Sequence, residues 1–251
     1  MTQPVFDTHL HIIDPSHPLV ENNGFMPAPF TVADYQKRIQ GLGIAGGAVV
    51  SGSFQAFDQG YLVEALKALG PTYVGVTQIP NHTSDQQILE LHEAGVRAVR
   101  FNIARGGSAD LDDLERLANR VHDLAGWHAE LYIDSRTIDE TLAQRIAALP
   151  AASIDHLGMH EDGFTNLLRL VEQGVKVKAT GFGRIDLDPA SAVKTIVSVD
   201  PTALMVGTDL PSTRARRPFR DEDFGIIHQS LTPEQASAVF WGNAAAFYLG
   251  R

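Results

Sequence analysis

The sequence predicts an α/β protein folded as a single (β/α)8 TIM barrel over residues 1–251. Eight short β-like runs alternate with longer amphipathic runs from one end of the chain to the other. The length of 251 residues matches the roughly 250 that such a barrel needs as one unit. No Gly-x-Gly-x-x-Gly follows the first strand, where an open dinucleotide-binding sheet would carry one. No linker, low-complexity tract or charge block divides the chain.

Val5 and Phe6 lead into the first strand, residues 5–11, and Asp14 and Pro15 end it. Residues 12–30, rich in Pro, Asn and Gly, form the longest irregular stretch, and a loop that long in a compact domain is often a lid or binding loop. Helical periodicity then covers residues 31–42, 58–69, 84–94, 110–125, 137–149, 164–173 and 190–199. The strands between and after these helices cover 47–52, 73–79, 98–103, 128–134, 153–157, 175–180 and 204–209. Ser84 with Gln87 and Thr137 with Glu140 fit capping boxes. Thr232, Pro233 and Gln235 open a final helix, and glycines such as Gly70 and Gly126 sit where helices should stop.

Composition narrows the function. The chain is 44% hydrophobic and 20% charged, ordinary for a globular protein with a sizeable core. A net charge of −10 repels nucleic acid and anionic membranes, so neither is an expected partner. No apolar run reaches the ~18 residues of a membrane span. The absence of cysteine excludes disulfides and thiolate zinc sites. With no signal-like start, the expected location is cytoplasmic. Arg214, Arg216 and Arg217 break the acidic pattern, either as a solvated loop or as a trap for an anionic substrate. The apolar tail over residues 244–249 could pack on the barrel or form a homo-oligomer contact.

Active sites of such barrels lie at the C-terminal ends of the strands. His9 and His11, two apart on strand one, point to the same side. The other strand ends offer Ser51 and Ser53, then Gln78, then Arg100, Asn102 and Arg105. They continue with Tyr132 and Asp134, His156, Lys178 and Thr180 with Arg184 beyond, and Asp209. Each has a plainer reading. Asp209 could cap a turn, His156 could be a core histidine, Lys178 could alternate with Lys176 on a solvated strand, and Arg100 could pair with an acidic neighbour. Asp155, opposite in parity to His156, is expected to face the helices. Asp7 could orient the site from below or satisfy a backbone group. The convergence of His9, His11, His156 and Asp209 from strands one, six and eight outweighs these single readings.

This ordered set resembles the amidohydrolase superfamily, and more narrowly its branch of lactone hydrolases and metal-dependent decarboxylases. The resemblance rests on Val5-Phe6-Asp7-Thr8-His9-Leu10-His11, Ile154-Asp155-His156-Leu157-Gly158, Val175-Lys176-Val177-Lys178-Ala179-Thr180-Gly181, Val206-Gly207-Thr208-Asp209-Leu210-Pro211 and Gly242-Asn243-Ala244-Ala245. It implies a distorted barrel with Asp209 as the base that activates water. It implies either no cofactor or one divalent metal, zinc first, on His9, His11, His156 and Asp209. Binuclear relatives carry a lysine at the end of strand four; Arg100 stands there, which argues against two metals.

The resulting expectation is a hydrolase of a small, carboxylate-bearing lactone. Asp209 would take the proton of water, and the three histidines would stabilise the oxyanion directly or through one metal. Arg100, Arg105, Arg184 and Arg214 would hold the substrate carboxylate, with Lys178, Gln78 and Tyr132 as further contacts. The alternative is a zinc-dependent decarboxylase of an aromatic or muconate-type acid on the same barrel.

Overall fold

The computed structural model describes residues 3–250. Eight parallel strands follow one another in chain order around a barrel: β1 (Val5–Leu10), β2 (Ile44–Val50), β3 (Tyr73–Thr77), β4 (Val96–Asn102), β5 (His128–Tyr132), β6 (Ala152–Ile154), β7 (Lys176–Ala179) and β8 (Leu204–Val206). The crossovers carry α1 (Val32–Arg38), α2 (Gly60–Leu69), α3 (Asp85–Glu93), α4 (Leu114–Ala125), α5 (Glu140–Ala147), α6 (Phe164–Glu172) and α7 (Pro189–Val199). After β8 come α8 (Glu222–Ser230), α9 (Pro233–Ser237) and α10 (Asn243–Leu249), the last two joined by a π turn over Ala238–Gly242.

Strands buried on both faces carry apolar residues at both parities, and the two parities go to different cores. Val49, Val99, Leu131, Ile154 and Val177 pack outward under the helices. Phe6, Ala48, Val50, Val74, Val76, Ala98 and Met205 point inward and fill the bottom of the barrel. The tail packs on the barrel: Ala244 and Tyr248 of α10 join that inner cluster, and the Tyr248 ring stacks on Phe6 at 5.5 Å. The Tyr248 hydroxyl donates to Glu130 Oε2 at 3.3 Å. Tyr248→Phe keeps the packing and loses this bond, so a urea melt should show a loss of about 1 kcal/mol.

No regular ladder joins β1 to β8 among the described residues. The seam is closed by the chain just past β8. Asp209 N–H donates to His9 O and His11 N–H to Leu210 O, each at 2.7 Å. Thr8 Oγ1 donates to Val206 O at 2.9 Å. The segment that closes the barrel therefore also delivers Asp209 to the two histidines.

The capping boxes at Ser84 and Thr232 form as their sequences indicate, and Gly126 ends α4 at φ 67°. Thr137 does not cap α5. Its hydroxyl turns back to Asp134 O, and Asp139 caps instead by accepting from Leu142 N–H. Helix α8 has no counterpart in the sequence reading.

Candidate active site

A bulge in β1 sets the first two histidines. Asp7 pairs with Gly47 and Leu10 with Val49, so β1 takes three steps against two on β2. Phe6 lies in the inner cluster and Leu10 in the outer one, so His9 and His11, on either side of Leu10, face the barrel interior. His11 Nδ1 lies 2.7 Å from Val50 O. A carbonyl only accepts, so Nδ1 carries the proton and Nε2 presents its lone pair to the site. That Nε2 and His9 Nε2 each lie 3.9 Å from Asp209 Oδ1.

His156 and Asp209 enter beyond their strands on left-handed backbone, at φ 52° and φ 61°. His156 Nδ1 sits 2.8 Å from Thr180 Oγ1, and its ring lies 4.8 Å from that of His9. Asp7 braces the Asp209 segment from outside. It accepts from Thr208 N–H and Oγ1–H at 2.7 Å each, from Tyr35 Oη at 3.1 Å and from His9 N–H at 3.3 Å. Asp7 thus satisfies the backbone N–H groups of Thr208 and His9, and through them it orients the segments that carry the site.

Electrostatics separate the roles. Asp209 Oδ2 accepts Arg184 Nε at 2.9 Å and Nη2 at 2.5 Å, while Oδ1 is buried without a hydrogen bond. Burial pushes the Asp209 carboxyl up to about 6 even against the pull of Arg184. Burial also lowers all three histidines, His9 to about 3 and His11 and His156 well below the usual imidazole range. The site at neutral pH therefore holds three uncharged imidazoles.

Beneath the site lies a buried ionic layer. Arg100 Nη2 donates to Asp155 Oδ2 at 2.8 Å and Nη1 to Ser51 O at 2.7 Å. Lys178 Nζ bonds Glu130 and lies 3.6 Å from Asp155. Asp155 Oδ1 is 3.3 Å from His9 Nδ1. Burial raises the Asp155 carboxyl, but His9, Lys178 and Arg100 outweigh it and hold the group well below the carboxylate range.

Two expectations fail here. Asp155 does not face the helices. It follows Ser153 inward, and His156 joins it only because the left-handed turn at His156 and Leu157 breaks the strand's alternation. Lys178 is neither solvated nor part of the pocket wall; it is fully buried one layer below. Glu130 went unnoticed in the sequence, although it shares the parity of Tyr132 on β5.

The cleft above is lined by His11, Phe54, Arg100, Asn102, Tyr132, His156, Arg184 and Asp209, with the more exposed Arg105 and Arg214 toward its mouth. Gln78 lies outside the lining. Its amide donates to Gly52 O at 3.2 Å and Ala56 O at 2.8 Å and shapes the turn after β2.

The family model described as Amidohydrolase matches residues 6–249. The chain belongs to the amidohydrolase family. A 2-pyrone-4,6-dicarboxylate hydrolase of Comamonas testosteroni is 31% identical over 157 residues, 61% of this chain and 51% of that relative, so that match spans about half of the relative's length. A 4-sulfomuconolactone hydrolase of Hydrogenophaga intermedia is 27% identical over 82% of this chain and 74% of its own. A D-galactarolactone isomerase of Agrobacterium fabrum is 24% identical over 84% of this chain and 77% of its own. The fold matches that of a probable 2-pyrone-4,6-dicarboxylic acid hydrolase from Acinetobacter baumannii, with a TM-score of 0.83 at 19% identity over 97% of this chain and 98% of the other.

Among the described residues of this amidohydrolase, two groups have the donor set for a metal ion: His9, His11 and Asp209, and His9, Asp155 and His156. The first fits. His11 Nε2 offers a lone pair, and His9 Nε2 and Asp209 Oδ1 are buried without partners. The second is crowded by cations, since Asp155 already meets Arg100 and Lys178.

Proposed function

We propose that the protein hydrolyses a small carboxylate-bearing cyclic ester, with Asp209 as the base that activates water. One observation carries this reading: a buried carboxylate oxygen, free of hydrogen bonds, lies between two imidazoles at the base of a cleft rimmed by arginines. The named relatives share lactone substrates but not one reaction, since an isomerase stands among the hydrolases. The ring is thus supported by the company the chain keeps, and hydrolysis by the placement of Asp209.

Water bound against Asp209 Oδ1 would pass a proton to it while attacking the ring carbonyl. Arg184 fixes the other oxygen and so aims the carboxylate. His11 has spent its only N–H on Val50, so its Nε2 cannot donate to an oxyanion. That leaves the His156 ring and the guanidinium groups to meet the developing charge. His9, His11 and Asp209 would hold one divalent ion, with His156 beside them, and such an ion would supply Lewis acidity and lower the pKa of water. Arg105 and Arg214 would hold an anionic substituent of the ring, with Arg100, Arg184 and Tyr132 along the wall.

The test is ring opening, followed as loss of absorbance with 2-pyrone-4,6-dicarboxylate and as proton release with 4-sulfomuconolactone. Turnover of either supports the reading, and failure on every anionic lactone tried sinks it. Elemental analysis of protein purified without chelator should give about one zinc per chain if the site is a metal centre, and His11→Ala should abolish it. Metal retained in His11→Ala would place the ion elsewhere.

The decarboxylase alternative has weaker support. A 5-carboxyvanillate decarboxylase from Sphingomonas paucimobilis shares the fold at a TM-score of 0.66 with 12% identity, which speaks to architecture alone.

A further inference from the structure

The arginines in and around the cleft fall into two groups. Arg100 pairs with Asp155, Arg184 with Asp209 and Arg216 with Asp186. Among the described residues, Arg105 and Arg214 have no carboxylate partner, although both border the same cleft. Their mutual repulsion is felt: burial and the charge of Arg105 both lower the pKa of Arg214.

A hairpin in the long loop after β1 holds the Arg214 guanidinium and ties it to the backbone of Arg105. Asn22 and Phe25 exchange backbone hydrogen bonds at 3.0 and 3.1 Å. Between them Asn23 and Gly24 both take positive φ, 50° and 75°, the Asn-Gly signature of a tight two-residue turn. Asn22 Nδ2 donates to Arg105 O at 3.1 Å, and Asn22 Oδ1 accepts from Arg214 Nη1 at 3.0 Å. A carbonyl only accepts and a guanidinium only donates, so this orientation of the amide is forced. The Asn22 carbonyl also accepts from Arg214 Nη2. The Phe25 ring lies 4.3 Å beneath the same guanidinium.

We infer that the Asn22–Phe25 hairpin is the specificity element of the cleft, a positioning device that seats Arg214 beside Arg105 as a two-arginine clamp for the outer anionic group of the substrate. The clamp rests on the reading of the site as one for anionic lactones. Its neutral amide matters as much as its shape. An Asn can hold the Arg214 guanidinium and the Arg105 backbone carbonyl without cancelling either arginine's charge, whereas an Asp there would be an anion built into the clamp.

Titration calorimetry with isophthalate, a planar dianion, tests this apart from catalysis. Wild type should bind it, Asn22→Ala should bind at least about tenfold more weakly, and Asn22→Asp more weakly still. A merely structural Asn22 gives the opposite order, because Asp keeps the bond to Arg214 that Ala loses. Phe25→Leu, which keeps all the hydrogen bonds, should weaken binding a few-fold through loss of the aromatic face. Equal affinities, the reversed order, or no binding to wild type would overturn the clamp. The expected order in a protein that opens no anionic lactone would leave the clamp standing and sink the hydrolase reading alone.

Discussion

Asp209→Asn should lower kcat on the order of 10³-fold while the barrel stays folded. Asn retains the shape and can still meet Arg184, which keeps its bond to Thr213 O at 3.1 Å. What it loses is the capacity to take a proton. The pH profile separates this role from a structural one. The Asp209 carboxyl is raised to about 6, so it is protonated and useless as a base below that value. Wild-type kcat/KM should therefore climb with pH, level off above about 6, and fall to roughly a tenth of its plateau one unit lower. The residual rate of Asp209→Asn should lack that break. Near-normal turnover, or an unaltered break in the variant, would remove Asp209 from the role of base.

The barrel was legible because parallel strands and their crossovers write two periods into the chain, and the eight strands alternate with helices as expected. Helix α8 escaped although Asp221, Glu222 and Asp223 mark its start, because Gly225 interrupts a short segment of nine residues, Glu222–Ser230. His9, His11, His156 and Asp209 were legible as polar residues at strand ends. Their burial partners were less so. Strict alternation misplaces Asp155, because His156 reaches the site through a left-handed turn that no period reveals. Glu130 was accessible to the same parity argument that picked out Tyr132. Lys178 shows the limit of reading one strand at a time: Lys176 and Lys178 look alike in sequence, and only neighbours on β5 and past β6 make one of them a core residue. The role of Asn22 rests on contacts 83 and 192 residues away in the chain, beyond any local pattern.

Lys178→Met should be among the most destabilising substitutions in the chain, costing roughly 3–5 kcal/mol. Lys178 is fully buried and neutralises Glu130 and Asp155 together. Its loss leaves two carboxylates in the barrel centre with Arg100 as their remaining strong cation. The pH dependence follows from Glu130. Burial, with repulsion from Asp155, already raises its carboxyl from 4.5 to about 7 in the folded protein, against the pull of Lys178 and Arg100. Removing the lysine raises it further. A carboxyl whose folded pKa is raised favours folding below its unfolded value and loses that contribution as pH climbs through the folded one. The deficit of Lys178→Met should therefore be larger at pH 8 than at pH 6 in urea melts. Adding Glu130→Gln removes the stranded charge and should recover a large part of the loss, so the double variant should be more stable than Lys178→Met alone. No recovery, or a deficit that shrinks as pH rises, would show that Glu130 is not the partner that makes Lys178 necessary. The double variant would leave Asp155 with Arg100 at 2.8 Å and His9 Nδ1 at 3.3 Å as its remaining polar neighbours.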